Sequence, residues 1–287
     1  MLFNKIAIIG VGLIGGSLAR ALKAKDQCNI ISGFGRNQDN LQKAVDLGVI
    51  DDYSDDINTV VQDAEVIVFA TPLFTFRPLL ELLLPCINDD VIITDAGSEK
   101  GSVVKAAREV LGKNITNFIP GHPIAGTEKS GVEASFKELY QDHLVILTPL
   151  PENSDQNISI ITQMWETCGA NVVNLEVDYH DKVLAATSHL PHVLAYALID
   201  CLANMEEQGD VFKFSAGGFR DFTRIAASNS EMWADICLSN KTNLLELLNL
   251  YTNHLTKIKK LIDSDERAEL IELFSRVKTT REKLNYN

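Results

Sequence analysis

Gly10-Val11-Gly12-Leu13-Ile14-Gly15 follows the apolar run at residues 5–9 and opens a helical pattern at residues 17–25. A G-x-G-x-x-G string alone is a weak signal, but between a strand and a helix it has a mechanism. The first glycine makes the tight turn, the second lets backbone approach a pyrophosphate, and the third lets helix pack on strand. The helix N-terminus then faces the phosphate charge. Gly10, Gly12, Leu13, Ile14 and Gly15 are therefore candidate dinucleotide-binding residues. The alternative is a glycine-rich turn that holds no ligand.

Strand and helix patterns alternate outward from this loop. Residues 30–34 read as the next strand, and Asn37 caps a helix that Gly48 ends. Apolar runs at 65–70 and 91–94 flank a helical pattern at 74–84; residues 103–111 are helical again, and 143–148 read as a strand. Pro149, Pro151 and residues 152–157 form a surface linker. A helix at 158–168 and a strand at 171–175 then belong to the same sheet. Such alternation implies an α/β, Rossmann-type, doubly wound parallel sheet covered on both faces. Beyond Asp178 only helical patterns remain, among them 182–205, 243–261 and 266–279. We expect two domains, a nucleotide-binding one at 1–175 and an all-α one at 176–287.

Bulk properties agree with two ordinary globular domains, since 287 residues exceed one typical domain. The net charge of −13 argues against a nucleic-acid groove or an anionic membrane surface, though not against a local cationic pocket. Five widely spaced cysteines without a C-x-x-C fit reduced cytosolic thiols, neither a disulfide framework nor a zinc site. Lys5, the apolar run and Ala19-Arg20-Ala21 mimic a signal peptide, but Gly10, Gly12, Gly15 and Gly16 break that run. No stretch reaches the roughly 18 uninterrupted apolar residues of a membrane span. The expected location is the cytoplasm.

Cofactor choice turns on Gly35 and Arg36. They stand about twenty residues past Gly15, where an NAD site places an acid on the ribose hydroxyl. Without that acid nothing repels a 2′-phosphate, and Arg36 can pair with it. The reading leans slightly to NADP over NAD; the alternative is that Arg36 stacks on adenine. Ala70-Thr71-Pro72 ends a strand and should line the crevice beside the nicotinamide.

Four further strings carry chemistry. Gly121-His122-Pro123-Ile124-Ala125-Gly126-Thr127-Glu128 puts a histidine at the head of a loop rich in glycine, hydroxyl and charge. Asp95-Ala96-Gly97-Ser98-Glu99-Lys100 follows a strand, so Ser98 can hold His122 by a hydrogen bond, or cap the helix after it. Ser188-His189-Leu190-Pro191-His192 interrupts a helical segment; no third ligand accompanies its two imidazoles, so no metal is expected. Gly217-Gly218-Phe219-Arg220-Asp221-Phe222-Thr223-Arg224 offers a glycine turn, then an acid and a guanidinium. These form either a plain helix ion pair or an orienting acid and a carboxylate binder.

Taken together in this order and spacing, these motifs resemble the prephenate/arogenate (cyclohexadienyl) dehydrogenase family of tyrosine biosynthesis. The likeness runs from Ile6 to at least Trp233. It implies that the helical domain makes a homodimer through its C-terminal helices. Family members also carry a mutase, an ACT-type regulatory domain or a synthase, for which no residues are expected to remain here. The reaction implied is oxidative decarboxylation of a cyclohexadienol. Hydride leaves ring C4 for the nicotinamide, the C4 hydroxyl loses its proton, and CO2 leaves C1. The resemblance makes His122 the proton acceptor, with Ser98 orienting it. His192 and Arg224 would hold the substrate, Thr127 and Glu128 would close the polar side, and Asp221 would keep Arg224 in place. Gly217 joins the substrate-binding set, as does Trp233, which either reaches across the dimer or fills a helix core. Prephenate is the expected substrate. Arogenate, or both, is the alternative, and a non-catalytic NAD(P)-sensing dimer is a distant one. Rossmann dehydrogenases of the β-hydroxyacid and imine reductase type usually rely on a lysine in the helical domain, which the two-histidine pattern disfavours.

Overall fold

The glycine loop joins β1 (Phe3–Ile9) to α1 (Leu13–Ala24) in the computed structural model, which describes residues 1–205 and 211–284. Every residue from Ile6 to Ile9 is fully buried, because β1 has cover on both faces. Ile6 and Ile8 pack with Leu18 and Leu22 of α1 on one side. Ala7 and Ile9 pack with Ile67, Phe69, Phe76 and Leu80 on the other. The remaining strands are β2 (Cys28–Phe34), β3 (Asp52–Tyr53), β4 (Val66–Phe69), β5 (Ile92–Asp95) and β6 (Phe118–Ile119). They form a six-stranded sheet in the order β3-β2-β1-β4-β5-β6, parallel throughout. Helices α2 (Gln38–Asp46), α3 (Ile57–Val61), α4 (Leu73–Leu83) and α5 (Gly101–Leu111) provide the crossovers. The order reverses between β1 and β4, so a crevice opens at their carboxyl ends.

The expected single sheet is in fact two. After β6, Pro120 has no N–H to continue a ladder, and the chain leaves the parallel sheet. Gly121–Pro123 then forms β7, which pairs antiparallel with β8 (Leu144–Leu147); β8 pairs parallel with β9 (Asn171–Asn174). The strands expected at 143–148 and 171–175 therefore exist but belong to this second sheet. His122 likewise sits in a strand rather than at the head of a loop. Thr148 N donates to Pro120 O at 2.9 Å and ties the two sheets at that junction. Between β8 and β9 runs α6 (Asp155–Thr167), capped by the Ser154 hydroxyl.

Helices follow: α7 (Val177–Leu184), a π-helical turn at Ala185–His189, and α8 (Leu190–Ala203). The single helix expected at 182–205 starts earlier and carries that π turn, where Pro191 removes a donor from the α pattern. The glycines expected to make a flexible turn instead begin α9 (Gly217–Thr223), and Asn229 caps α10 (Ser230–Ser239). Contacts within the chain divide it into two compact units, Met1–Lys241 and Thr242–Asn287. α7 to α10 lie in the first, with both sheets. The second holds most of α11 (Lys241–Asp263) and all of α12 (Arg267–Glu282).

Two glycines of the opening loop should separate fold from ligand. A Cβ on Gly15 would stand 2.3 Å from Gly10 O and 2.7 Å from Ile8 Cγ2, whereas one on Gly12 would meet nothing within 4 Å. Thermal melts without cofactor should show Gly15→Ala losing about 1–3 kcal/mol, as overpacking does. Gly12→Ala should stay within about 0.5 kcal/mol of the parent. Equal losses would mean that the close packing of α1 on β1 is not what Gly15 serves.

Candidate active site

A cavity of about 550 Å³ opens at the carboxyl ends of β1, β2 and β4, lined among others by Gly10, Gly12, Gly35, Arg36, Thr71 and Pro72. Gly10 has φ +100°, and a Cβ there would stand 2.5 Å from Ala70 O, so backbone alone fits at this turn. Gly12, the N-cap of α1, offers no side-chain cap, which leaves first-turn amides of Leu13 and Ile14 for an anion. The buried Thr71 hydroxyl, also in the lining, has no partner among the described residues. Arg36 is exposed and makes no ion pair among the described residues. Asn40, which the sequence reading did not single out, braces the loop: its amide donates to Val11 O at 2.8 Å, and its carbonyl accepts from Val132 N at 3.3 Å. Turn, open approach, uncapped helix and orphan hydroxyl fit the pyrophosphate and nicotinamide of a dinucleotide.

Beside this crevice lies a buried charge pair. Lys100 is wholly buried, and its ammonium bonds Asp95 at the end of β5. The same ammonium donates to Gly121 O at 2.6 Å, while Asp95 Oδ1 accepts from Gly121 N at 3.2 Å and Oδ2 from Gly97 N at 2.8 Å. Both backbone groups of the residue before His122 are thus held by one ion pair. Asp95 and Lys100 stood in a quoted motif without a role.

His122 is 8% exposed, and its Nδ1 lies 2.9 Å from His180 Nε2. His180 Nδ1 lies 2.8 Å from Asp181 Oδ1. Asp181 in turn accepts from the amides of Lys100 and Gly101, each at 2.8 Å, at the start of α5. Ser98 was expected to hold His122 or to cap this helix. At Nδ1 the partner is His180, and the caps are Asp181 and Glu99, whose Oε1 accepts from Ser102 N at 2.9 Å. Burial, then the neighbouring His180, Lys100 and His189, pushes His122 well below its ordinary 6.5. Burial and the Asp181 charge push Glu99 up to about 7. Burial alone would raise Asp181; hydrogen bonds from His180, Lys100 N, Glu99 and Gly101 N outweigh it and hold the carboxyl low.

The π turn brings His189 to the same region, 1% exposed. The Asn240 amide donates to Asp181 O at 2.7 Å and lies 3.2 Å from His189 Nδ1. That ring nitrogen therefore accepts, and Nε2 carries the hydrogen, buried and without a partner among the described residues. Burial pushes His189 down to about 4. His192 gives its Nδ1 hydrogen to Ser188 O at 2.9 Å and stacks on Trp233 with centroids 3.7 Å apart. Within one chain Trp233 thus fills the helical core, 7% exposed. Arg224, just after α9, forms an ion pair with Glu128. Asp221 was expected to hold that guanidinium; it is exposed and pairs with nothing among the described residues, because Glu128 takes its place. Thr127 is also exposed, its hydroxyl accepting from Lys129 N at 3.2 Å, and Gly217 is the first residue of α9.

Residues 18–174 match the model of the prephenate dehydrogenase nucleotide-binding domain, and residues 176–276 match that of its dimerization domain. The chain is 39% identical to the cyclohexadienyl dehydrogenase of Zymomonas mobilis over 97% of its own length and 95% of that protein's. It is 35% identical to the prephenate dehydrogenase of Bacillus subtilis, covering 98% of this chain and 76% of that one. Its fold is similar to Aquifex aeolicus prephenate dehydrogenase in complex with hydroxyphenyl propionate and NAD+. There the TM-score is 0.92 at 38% identity, with 98% of each chain covered. A nucleotide crevice next to a buried histidine chain defines an oxidoreductase, and the chain belongs to the prephenate/arogenate/cyclohexadienyl dehydrogenase family.

The buried imidazoles carry a stability signature. The unfolded chain protonates them near pH 6.5, while the native state keeps His189 neutral down to about 4 and His122 neutral well below 6.5. As pH falls through that window the unfolded state binds protons that the native state refuses, so stability drops. For His189 the loss is on the order of 3 kcal/mol, at about 1.4 kcal/mol per pKa unit. Glu99, held near 7, acts in the opposite sense between about 7 and 4.5. The diagnostic is therefore the difference between parent and His189→Asn, which keeps an acceptor for Asn240. Urea midpoints from pH 7 to 4 should fall less in the variant; parallel curves would show His189 titrating normally.

Proposed function

We propose that this chain oxidises and decarboxylates prephenate to 4-hydroxyphenylpyruvate, with His122 as proton acceptor. The observation that carries the reading is His122 itself, a buried imidazole on β7 whose Nδ1 meets His180 and whose preceding residue is held by Lys100 and Asp95 at the carboxyl end of β5. When bound, the nicotinamide accepts the hydride from ring C4. The work of the protein is orientation and charge management, since aromatisation supplies the driving force. His122 takes the C4 hydroxyl proton. Arg224 neutralises a substrate carboxylate, exchanging its partner Glu128 for the ligand, and His192 presents its bare Nε2 beside it. Ser98, half-buried at the carboxyl end of β5, bonds the hydroxyl from the other side. Thr127, Glu128, Gly217, Asp221 and Trp233 complete the substrate set.

The Bacillus and Aquifex relatives are prephenate dehydrogenases, which supports prephenate as substrate. The cyclohexadienyl name of the Zymomonas relative supports acceptance of arogenate as a second one. For the cofactor, the lean to NADP rests on Gly35 and Arg36 alone. Against it stands the NAD+ in the Aquifex complex, so NAD is the cofactor we propose, with Arg36 admitting NADP. The match of 176–276 to a dimerization domain supports a homodimer, as do the exposed Leu245, Leu250, Leu255 and Ile262 on α11. The two matches change over at 174/176, which supports the domain boundary read from sequence. No helix among the described residues is long and apolar enough to cross a membrane. The family relationship supports a cytoplasmic enzyme.

Steady-state kinetics with prephenate and arogenate, each with NAD and NADP, test this reading. His122→Asn should bind cofactor and lose on the order of 10²–10⁴ in kcat. Arg224→Ala should raise KM for prephenate ~30-fold or more, about 2 kcal/mol, with the cofactor KM unchanged. Arg36→Ala should weaken NADP more than NAD. A His122→Asn variant with parental kcat would remove that residue from the mechanism.

A further inference from the structure

Asp181 lies on α7 yet caps α5, and it reaches His122 through a single residue. We propose that His180 and Asp181 form a buried relay that fixes the tautomer of His122, leaving Nε2 bare toward the substrate hydroxyl. The relay also spreads the charge that appears when that nitrogen takes the proton. The proposal rests on the dehydrogenase reading above, and both relay members are positioning residues.

The direction of each hydrogen bond follows from the far end. Asp181 accepts from two backbone amides and is held ionised, so toward His180 it can only accept. His180 Nδ1 must then carry a hydrogen. In a neutral His180 the other nitrogen, Nε2, is bare and can only accept. His122 Nδ1 therefore donates across the 2.9 Å contact, and its Nε2 is left without a hydrogen. Only a doubly protonated His180 reverses this order. Asp181, the carboxylate at hydrogen-bond distance from the ring, already accepts from two backbone amides, and Asp95 is spent on Lys100.

The chemistry needs such a device because the proton is borrowed. The substrate O–H bond breaks and an Nε2–H bond forms on His122, while the oxygen electron pair makes C=O as hydride leaves ring C4 for the nicotinamide. When CO2 leaves C1 and the ring aromatises, the oxygen takes the proton back from Nε2. Prephenate and the oxidised cofactor thus become 4-hydroxyphenylpyruvate, CO2 and the reduced cofactor with no net proton. For the interval between, His122 is a buried cation beside Lys100, which is costly without a nearby anion. The Asp181 carboxylate, one imidazole away, supplies it.

His180 is fully buried, so packing is the competing account, and two substitutions separate the two. His180→Gln can donate to Asp181 and accept from His122 Nδ1, whereas His180→Phe fills the space and does neither. The relay predicts that Gln keeps kcat for prephenate within about tenfold and Phe loses on the order of 10²–10⁴. NAD+ affinity, read by fluorescence, should match the parent in both. A Phe variant as fast as Gln, or faster, would overturn the proposal. Nitrogen NMR of the substrate-free protein gives a second reading. His122 should carry its hydrogen on Nδ1 in the parent and in His180→Gln, and lose that preference in His180→Phe. A parent His122 protonated on Nε2 would overturn the relay whatever the kinetics. A parent inert toward prephenate and arogenate with the Nδ1 tautomer intact would overturn the functional reading alone.

Discussion

The ion pair between Asp95 and Lys100 is the constraint on which the site depends. Both side chains are out of water, and such a pair survives only when its remaining hydrogen-bonding capacity is filled. Here the filling comes from Gly97 and from both backbone groups of Gly121. The carboxyl end of β5, the start of α5 and the first residue of β7 are therefore one unit. Gly121 is itself confined, since a Cβ there would stand 2.9 Å from Asp95 O. His122 inherits its position from this frame and its low basicity from the same burial, with the Lys100 ammonium nearby.

A second layer of charge sits on the same helix start. Asp181 and Glu99 both cap α5, where backbone amides and the helix dipole favour negative charge. Two carboxylates so close do not both ionise easily, and they part company: Asp181 stays low and Glu99 rises. One helix N-terminus thus serves as an anion holder within the protein, while that of α1 is left uncapped beside the nucleotide crevice. The two helix starts follow β1 and β5, the strands that flank β4 in the parallel sheet, and so open at the same carboxyl edge.

The parallel sheet was legible because its strands announce themselves as short apolar runs and its first turn as three spaced glycines. The second sheet was not, since β7 is three residues long and contains both a glycine and a proline. Periodicity has nothing to work on there; pairing with β8 and the hold on Gly121 make it a strand. His122 and Arg224 were singled out by type and setting, yet their partners were misread. Asp221 is near Arg224 in sequence, but Glu128, 96 residues away, is what reaches it; at His122 Nδ1 the partner is His180, 58 residues away. The adjacent His180 and Asp181 on a helix carried the one available signal, an imidazole beside a carboxylate, and it was lost in an ordinary amphipathic pattern. Lys100 gave none, because a wholly buried lysine looks like any other until its carboxylate is seen.

The central claim is that the base is a histidine held neutral by burial and by the surrounding charge frame. The pH dependence of kcat/KM for prephenate in the unaltered enzyme tests it most directly. Because burial, then the neighbouring His180, Lys100 and His189, pushes His122 well below its ordinary 6.5, the account predicts that activity persists through pH 6.5 and falls only on a limb below it. A limb at or above 6.5 would contradict it, because the free enzyme would then carry a base as easily protonated as an exposed imidazole.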